Sequence, residues 1–343
     1  MKKIALALLA VLAVFPCLAQ EKKQMEAYVI GFYNLENLFD TIDDPDRNDE
    51  QFLPGGDYGW SALKYESKLS KLAYAISRMP RNLAILGVAE AENIGVLEDL
   101  VLQDEIADRS FKPILVEGND ARGIDVGLIY NPRYFIPTNV TSTRIRTEGD
   151  ESFRTRDQLC VTGLLAGEEI SIVVLHWPSR GGGEKRSAPR RRDAALTTKA
   201  ICDSLYALNP QAKIVVMGDL NDDPVDDSVV KHLGAKNKKE ETQPGQLYNP
   251  CYTLYKKGIG SLGYQDEWNL FDQVMVSHAL IDESIGGLHY WKSEIFNRSF
   301  LKQQEGRYKG YPLRTHSSGV WTNGYSDHFP SLIWVVREVK GDK

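Results

Sequence analysis

Six apolar runs in the 343-residue sequence stop at, or start from, a side chain able to bind a cation or move a proton. Tyr28-Val29-Ile30-Gly31-Phe32-Tyr33 stops at Asn34. Ala84-Ile85-Leu86-Gly87-Val88-Ala89 stops at Glu90, with Glu92 and Asn93 just beyond. Val173-Val174-Leu175 stops at His176, and Lys213 to Gly218 runs into Asp219-Leu220-Asn221-Asp222-Asp223. Asp272 opens a further run, and Ser326-Asp327-His328 precedes the last. One polar residue at a strand end is usually a local turn former. Six ends that carry only Asn, Glu, Asp and His need another reason. Two or more carboxylates with amide oxygens suit a hard cation such as Mg²⁺. Histidines suit proton transfer near neutral pH, with a carboxylate fixing the tautomer. No Cys or third His joins a compact spacing, which disfavours zinc.

These residues need strands to carry them to one place. Residues 28–33, 83–89, 125–130, 158–165, 170–176, 213–218, 273–277 and 331–337 read as strands, being apolar and rich in β-branched residues. A helix is expected over 62–79, with Leu69, Leu72, Ala73, Ile76 and Met79 on one stripe and Pro80 as its stop. A second is expected over 190–208, from Ala194, Ile201, Leu205 and Leu208. Residues 40–60 and 297–325 read as loop insertions. No low-complexity linker divides the chain, so residues 20–343 are expected to form one domain. Many strands with few helices between them favour two packed sheets flanked by helices over a simple doubly wound sheet.

The ordered set Asn34, Glu90, His176, Gly218-Asp219-Leu220-Asn221, Asp272 and Ser326-Asp327-His328 resembles the endonuclease/exonuclease/phosphatase superfamily. Its members include deoxyribonuclease I, abasic-site endonucleases, sphingomyelinases and inositol-polyphosphate 5-phosphatases. The likeness runs from about residue 28 to 337 and rests on the motifs in order, since GDxN alone occurs by chance. It implies a four-layer α/β sandwich, with two mixed sheets face to face, helices outside and the site at one rim. It also implies Mg²⁺- or Mn²⁺-assisted hydrolysis of a phosphate ester. By motif match, Glu90 would be the principal metal ligand, with Asn34 and Asp327 on the metal or its waters. Asp219 and Asn221 would position the attacking water and a phosphate oxygen. His328, oriented by Asp272, would be the base or polarise the phosphate, and His176 would contact it from the other side. Asp125 lies near where some members place a second carboxylate–histidine partner. Two departures stand out: Val88-Ala89-Glu90 replaces the common Leu-Gln-Glu, and Phe271-Asp272-Gln273 the common Ile-Asp-Tyr or Ile-Asp-Arg. Neither touches a charge-bearing position.

Composition bears on substrate and compartment. With 42% hydrophobic and 26% charged residues the chain is neither disordered, collagenous nor coiled-coil. A net charge of −6 counts against holding a polyanion by bulk charge alone. The basic segment from Arg180 through Lys185, Arg186, Arg190, Arg191 and Arg192 reads either as a phosphate clamp or as a solvated helix approach. Trp177, Trp268 and Trp321 read as packing residues, with base stacking the alternative. Met1-Lys2-Lys3, the apolar run Ile4–Phe15 and Pro16–Ala19 have the layout of a secretory signal peptide, cleaved after Ala19. Lipidation at Cys17 is the alternative; the run is short for a membrane span. Cys160, Cys202 and Cys251 would remain, too widely spaced for a disulfide framework. The expectation is a secreted or periplasmic monomeric phosphodiesterase acting on DNA or RNA. A phosphomonoesterase or a lipid-headgroup enzyme is the alternative. A non-catalytic binding module on the same fold is the rival from another class.

Overall fold

The computed structural model describes residues 24–147 and 149–339. The expected signal peptide over 1–19, and Cys17 within it, lie outside them. A first sheet begins with β1 (Gln24–Leu38), β2 (Leu83–Ala91), β3 (Lys112–Leu115) and β4 (Asp125–Tyr130). The second takes β5 (Phe135–Thr143), β6 (Gln158–Leu165), β7 (Glu168–His176), β8 (Ile214–Asp219) and β9 (Leu247–Tyr248). A hairpin of β10 (Leu262–Tyr264) and β11 (Glu267–Asn269) follows, and β12 (Asp272–Ser277) completes that sheet. The chain returns to the first sheet with β13 (His289–Ile295). A second hairpin, β14 (His316–Ser317) and β15 (Val320–Trp321), projects before the closing strand β16 (Ser331–Val339). The strand orders are β13-β16-β1-β2-β4-β3 and β5-β6-β7-β8-β12-β9. Both sheets are mixed: β1 runs parallel to β2 and antiparallel to β16, while β7 runs parallel to β8 and β8 antiparallel to β12.

Alternation along the central strands explains the layering. Ile30, Phe32 and Ile85 point inward from the first sheet and meet Val161, Ile172, Val174, Met217 and Val274 of the second. Each such side chain contributes about 1.5–3 kcal/mol on full burial. Their neighbours point outward: Val29, Leu86 and Val88 pack under α1 (Ala62–Ser77) and α2 (Ile94–Val101). Val173, Leu175 and Val216 pack under α3 (Glu184–Leu208). The result is helix, sheet, sheet, helix, the expected four-layer sandwich.

One rim collects the chemistry because of strand direction. Parallel pairs β1/β2 and β7/β8 end there, while β12 and β16, running the opposite way, begin there. The first expected helix closes at Ser77, three residues before Pro80, and Ser61 caps its start by accepting from the Lys64 N–H. The second begins at Glu184, earlier than expected, and carries Pro189 within its second turn. Burial of Arg191, Ala194, Ala195, Thr198 and Cys202 along one face holds that helix despite the missing donor. Cys160, Cys202 and Cys251 are all free and buried. No helix among the described residues is long and apolar enough to cross a membrane.

Candidate active site

Backbone geometry at the strand ends is unusual where the polar residues sit. Glu36, Asn37, Glu90 and Asn221 adopt φ of 52°, 53°, 63° and 50°. Left-handed backbone costs a non-glycine residue about 1–3 kcal/mol and persists only where the surroundings over-determine it. Gly218 is required for a different reason, since a Cβ there would lie 2.2 Å from the Leu175 carbonyl oxygen. That close approach sets β7 beside β8 in a register pairing His176 with Asp219, and β12 pairs Asp272 with the same Asp219. Asp219 thus stands between a histidine and a carboxylate on adjacent strands.

Asn34 ties the two sheets together at this level. Its Nδ2 donates to Glu90 Oε1 at 3.3 Å and to Asp219 Oδ2 at 3.1 Å. Its Oδ1 accepts from the Glu36 N–H at 2.9 Å, so the amide oxygen faces the backbone and the NH₂ faces the carboxylates. Glu90 Oε2 accepts from the Asn37 N–H at 2.8 Å. His176 Nε2 lies 3.8 Å from Glu90 Oε1 and 3.7 Å from Asp219 Oδ2. Asn221 donates its N–H to Asp219 Oδ1 and its Nδ2 to the Trp177 carbonyl, which fixes the turn after β8.

The second histidine is built differently. His328 Nδ1 is 2.6 Å from Asp272 Oδ2, and its Nε2 faces Asp219 Oδ2 at 3.9 Å and Asp327 Oδ1 at 3.8 Å. Ser326 anchors this loop, donating its hydroxyl to the Asn34 carbonyl and accepting from the His328 N–H. Asp327 Oδ2 receives Arg314 Nη2 at 2.5 Å. Behind Arg314, the carboxylate of Glu36 accepts from the Thr315 N–H and lies 4.0 Å from the fully buried Lys68 ammonium. Lys68 donates to Thr315 Oγ1 and to the Tyr325 carbonyl. A buried ion pair between Lys68 on α1 and Glu36 on β1 therefore braces the loop that carries Arg314.

Proton affinities diverge across the group. Burial alone pushes His176 well below its ordinary range, and the charges of Arg156 and Arg122 add to that. Burial also opposes a charged His328, but Asp272 and Asp327 outweigh it and hold the imidazole well above its ordinary range. The two histidines are thus driven apart in proton affinity, the separation that assigns acid and base tasks. Burial, with the charges of Asp272 and Glu90, lifts Asp219 to about 7 against the attraction of His328.

The donor set fits a hard divalent cation. Four carboxylates, on Glu90, Asp219, Asp272 and Asp327, meet here around the two histidines. Asp219, Asp272 and His328 bring ligand atoms within 4.8 Å of one another. Asp272 and His328, however, are engaged with each other, which leaves Glu90, Asp219 and Asp327 as the candidate carboxylate ligands.

Two expected residues lie elsewhere. Arg180 turns its guanidinium to the protein instead of a phosphate. It donates to the Asn221 carbonyl, Glu184, Asp222 and Asp226, and lies over the Phe271 ring. The neighbouring acids of the GDLNDD segment attract it more strongly than open solvent. Asp125 is buried, accepts from the Gly118 N–H at 3.0 Å, and is not brought to the group. His176 Nδ1 is left without a partner among the described residues. Arg191 is buried on Asp222, Arg190 pairs with Asp150 and Arg192 with Asp193. Trp177 is core, Trp268 stacks on Phe329, and Trp321 packs against Trp60. Besides Arg314, a cationic residue that flanks the site is Arg122, which no motif singles out. It donates to Asn37 Oδ1 at 3.2 Å, is half exposed, and acts electrostatically on His176. Its place before β4, just ahead of Gly123, is the one sequence signal it leaves.

The sequence pattern of the Endonuclease/Exonuclease/phosphatase family matches residues 29–337. No curated protein matches the chain. Among solved structures, an endonuclease/exonuclease/phosphatase family protein from Bacteroides thetaiotaomicron is 15% identical, with a TM-score of 0.55 over 92% of this chain and 97% of that one. A mannosyl-6-phosphatase from Bacteroides thetaiotaomicron VPI-5482 is 14% identical, with a TM-score of 0.54 over 90% and 99%. TDP2 from D. rerio, complexed with a single strand DNA product, is 11% identical, with a TM-score of 0.55 over 90% and 98%. At such identities the likeness is one of fold.

Proposed function

The chain belongs to the endonuclease/exonuclease/phosphatase family and is a phosphoester hydrolase, and from that premise we propose that its rim site hydrolyses a small phosphate ester by in-line attack of water. The observation that carries this reading is the convergence of Glu90, Asp219 and His176 with the Asp272–His328 pair on one rim, from five separate strands or loops. A bound Mg²⁺ or Mn²⁺, held by Glu90 with Asp327 and Asp219 nearby, would supply charge neutralisation and polarisation of phosphoryl oxygens. Asn34 orients Glu90 and Asp219 through its NH₂ and so acts on the ligands more than as one.

The remaining chemistry belongs to the side chains. Asn221 fixes Asp219, which aims the water and receives its proton. As the water oxygen forms the new P–O bond, the ester P–O bond breaks. His328, kept protonated by Asp272, gives its proton to the departing alcohol oxygen; such assistance is worth roughly 10²–10⁴-fold. Neutral His176 and cationic Arg122 contact the phosphoryl oxygens from the opposite flank.

The polymer reading, DNA or RNA, draws support from the product bound to TDP2. Against it stands the internal pairing of Arg180, Arg190, Arg191 and Arg192, which engages four of the six cations of the basic segment. A chain that begins with a charged, apolar and then small-residue pattern also supports action outside the cytoplasm. The test is purified protein with Mg²⁺ or EDTA against plasmid DNA, RNA, sphingomyelin, inositol phosphates, sugar phosphates and bis-p-nitrophenyl phosphate. Mg²⁺-dependent release from a small ester is the expected result. Cleavage confined to plasmid or RNA would restore the polymer reading, and inactivity on all would favour a binding module.

A further inference from the structure

Beside Asp327 the surface opens into a cavity of about 260 Å³ that the chemistry above does not use. Two hairpin tips wall it. The β10–β11 turn is Gln265-Asp266, with φ of 50° and 66°, and the β14–β15 turn is Ser318-Gly319, with φ of 51° and 79°. Both pairs of central residues are left-handed, the condition for a tight type I′ hairpin. Gln265 is strained there, where glycine, asparagine or aspartate would be relaxed, and such strain collects at functional positions.

The lining is polar and aromatic. Tyr264, Tyr308 and Tyr311 present rings, and Gln265, Gln303 and Arg307 present hydrogen-bonding ends. Asp266 lies 3.7 Å from Arg307 at the mouth, setting an obligate acceptor beside an obligate donor. Tyr311 lies against Gly263, where a Cβ would come within 2.7 Å of its ring, and its buried hydroxyl has no partner among the described residues. The volume is below the roughly 300–1,000 Å³ of pockets for drug-sized ligands. It takes one ring, and its few aliphatic walls do not suit an acyl chain.

We infer that this cavity holds the alcohol part of the substrate, and that this part is a single hydroxylated ring of the monosaccharide type. The pocket serves the phosphoester site proposed above and depends on it. Asp327 is shared: it lines the cavity, and its Oδ1 is 3.8 Å from His328 Nε2. An alcohol seated there leaves on the side of His328 Nε2. Tyrosine faces cover the C–H side of a sugar ring, while the Asp266–Arg307 pair takes vicinal hydroxyls, one accepting and one donating.

The experiment compares wild type with Asp266→Ala and Tyr308→Ala, both at exposed positions and checked for folding by circular dichroism. kcat/KM is measured on hexose 6-phosphates, uridine 5′-monophosphate and p-nitrophenyl phosphate. In parallel, saturation-transfer NMR reads glucose 6-phosphate binding with EDTA present. Wild type should prefer the hexose phosphates. Each variant should lower the ratio of hexose phosphate to p-nitrophenyl phosphate kcat/KM by about tenfold or more, and transfer to the ring protons should fall with it. Equal losses on all substrates, or preference for the nucleotide, would overturn the inference. Hydrolysis without sugar transfer would sink the pocket and leave the phosphoester reading standing. Transfer without any hydrolysis would do the reverse.

Discussion

His328 Nδ1 lies 2.6 Å from Asp272 Oδ2, joining the first residue of β12 in one sheet to the loop that leads into β16 of the other. The contact fixes the imidazole so that its other nitrogen, Nε2, points at Asp219 and Asp327. Asp272 lies under the histidine, fully buried, and acts through it.

Replacing Asp272 by Asn should therefore lower kcat by roughly 10²–10⁴-fold with little change in KM. The amide can still hydrogen-bond the ring but cannot hold it charged. Adding His328→Ala to Asp272→Asn should cost little more, since the two act as one unit. Steady-state rates on bis-p-nitrophenyl phosphate for the single and double variants decide it. Fully additive losses would mean that the pair does not work together.

Glu90 should control metal affinity without supporting the fold. Glu90→Gln keeps one of the two acceptor oxygens that serve Asn34 and Asn37 and loses the charge. At metal about a hundredfold above Kd, wild type should gain about 2–3 kcal/mol of stability. The variant should gain almost none and should not hydrolyse. Thermal melts with and without Mn²⁺ read this directly, and an undiminished metal shift in Glu90→Gln would move the ligand role elsewhere.

How far these residues were legible in the chain depends on burial. β4 and β6 match the expected bounds because both their faces are covered, and a near-continuous apolar run is then visible. β5 escapes notice: it is an edge strand, Phe135–Thr143, mostly exposed and rich in Thr, Asn and Ser. β13 is another edge, with Trp291 turned to solvent. The site residues were visible because each ends a buried strand. Their pairings were not, since contacts such as Asn34 to Asp219 span 185 positions. Arg180 shows the limit most clearly. Adjacency to His176 suggested a phosphate clamp, but the acids after β8 fold back upon it.

Asp125 should give stability a pH dependence of its own. Burial raises its carboxyl to about 7, against the Gly118 N–H that favours the anion. In the unfolded chain it titrates near its ordinary value of about 3.9. Between those values the folded state binds a proton that the unfolded state has released, so stability falls as pH rises through that window. The loss by pH 8 is on the order of 2–4 kcal/mol. Asp125→Asn retains an acceptor for Gly118 and removes the titration, so it should be more stable than wild type at pH 8 and similar at pH 4. Urea melts across that range test it, and a constant difference between the two proteins would show that Asp125 is ionised throughout.

Arg122 and Arg180 should part company on substitution. Half-exposed Arg122 is held by one hydrogen bond to Asn37 and a 3.8 Å pair with Asp120, and it flanks His176, so Arg122→Ala should lower kcat/KM by about 10²-fold. Arg122→Lys should recover part of that loss, because charge survives but the fork does not. Arg180 instead ties the Asn221 carbonyl to Asp222 and Asp226. Arg180→Ala should cost about 2–3 kcal/mol of stability through those charged hydrogen bonds, and it should lower kcat by loosening the turn that fixes Asp219. KM for a small phosphoester should change little in Arg180→Ala and rise in Arg122→Ala. If KM rises chiefly in the Arg180 variant, the guanidinium beside β8 meets substrate after all, and the basic segment that follows His176 is the phosphate clamp.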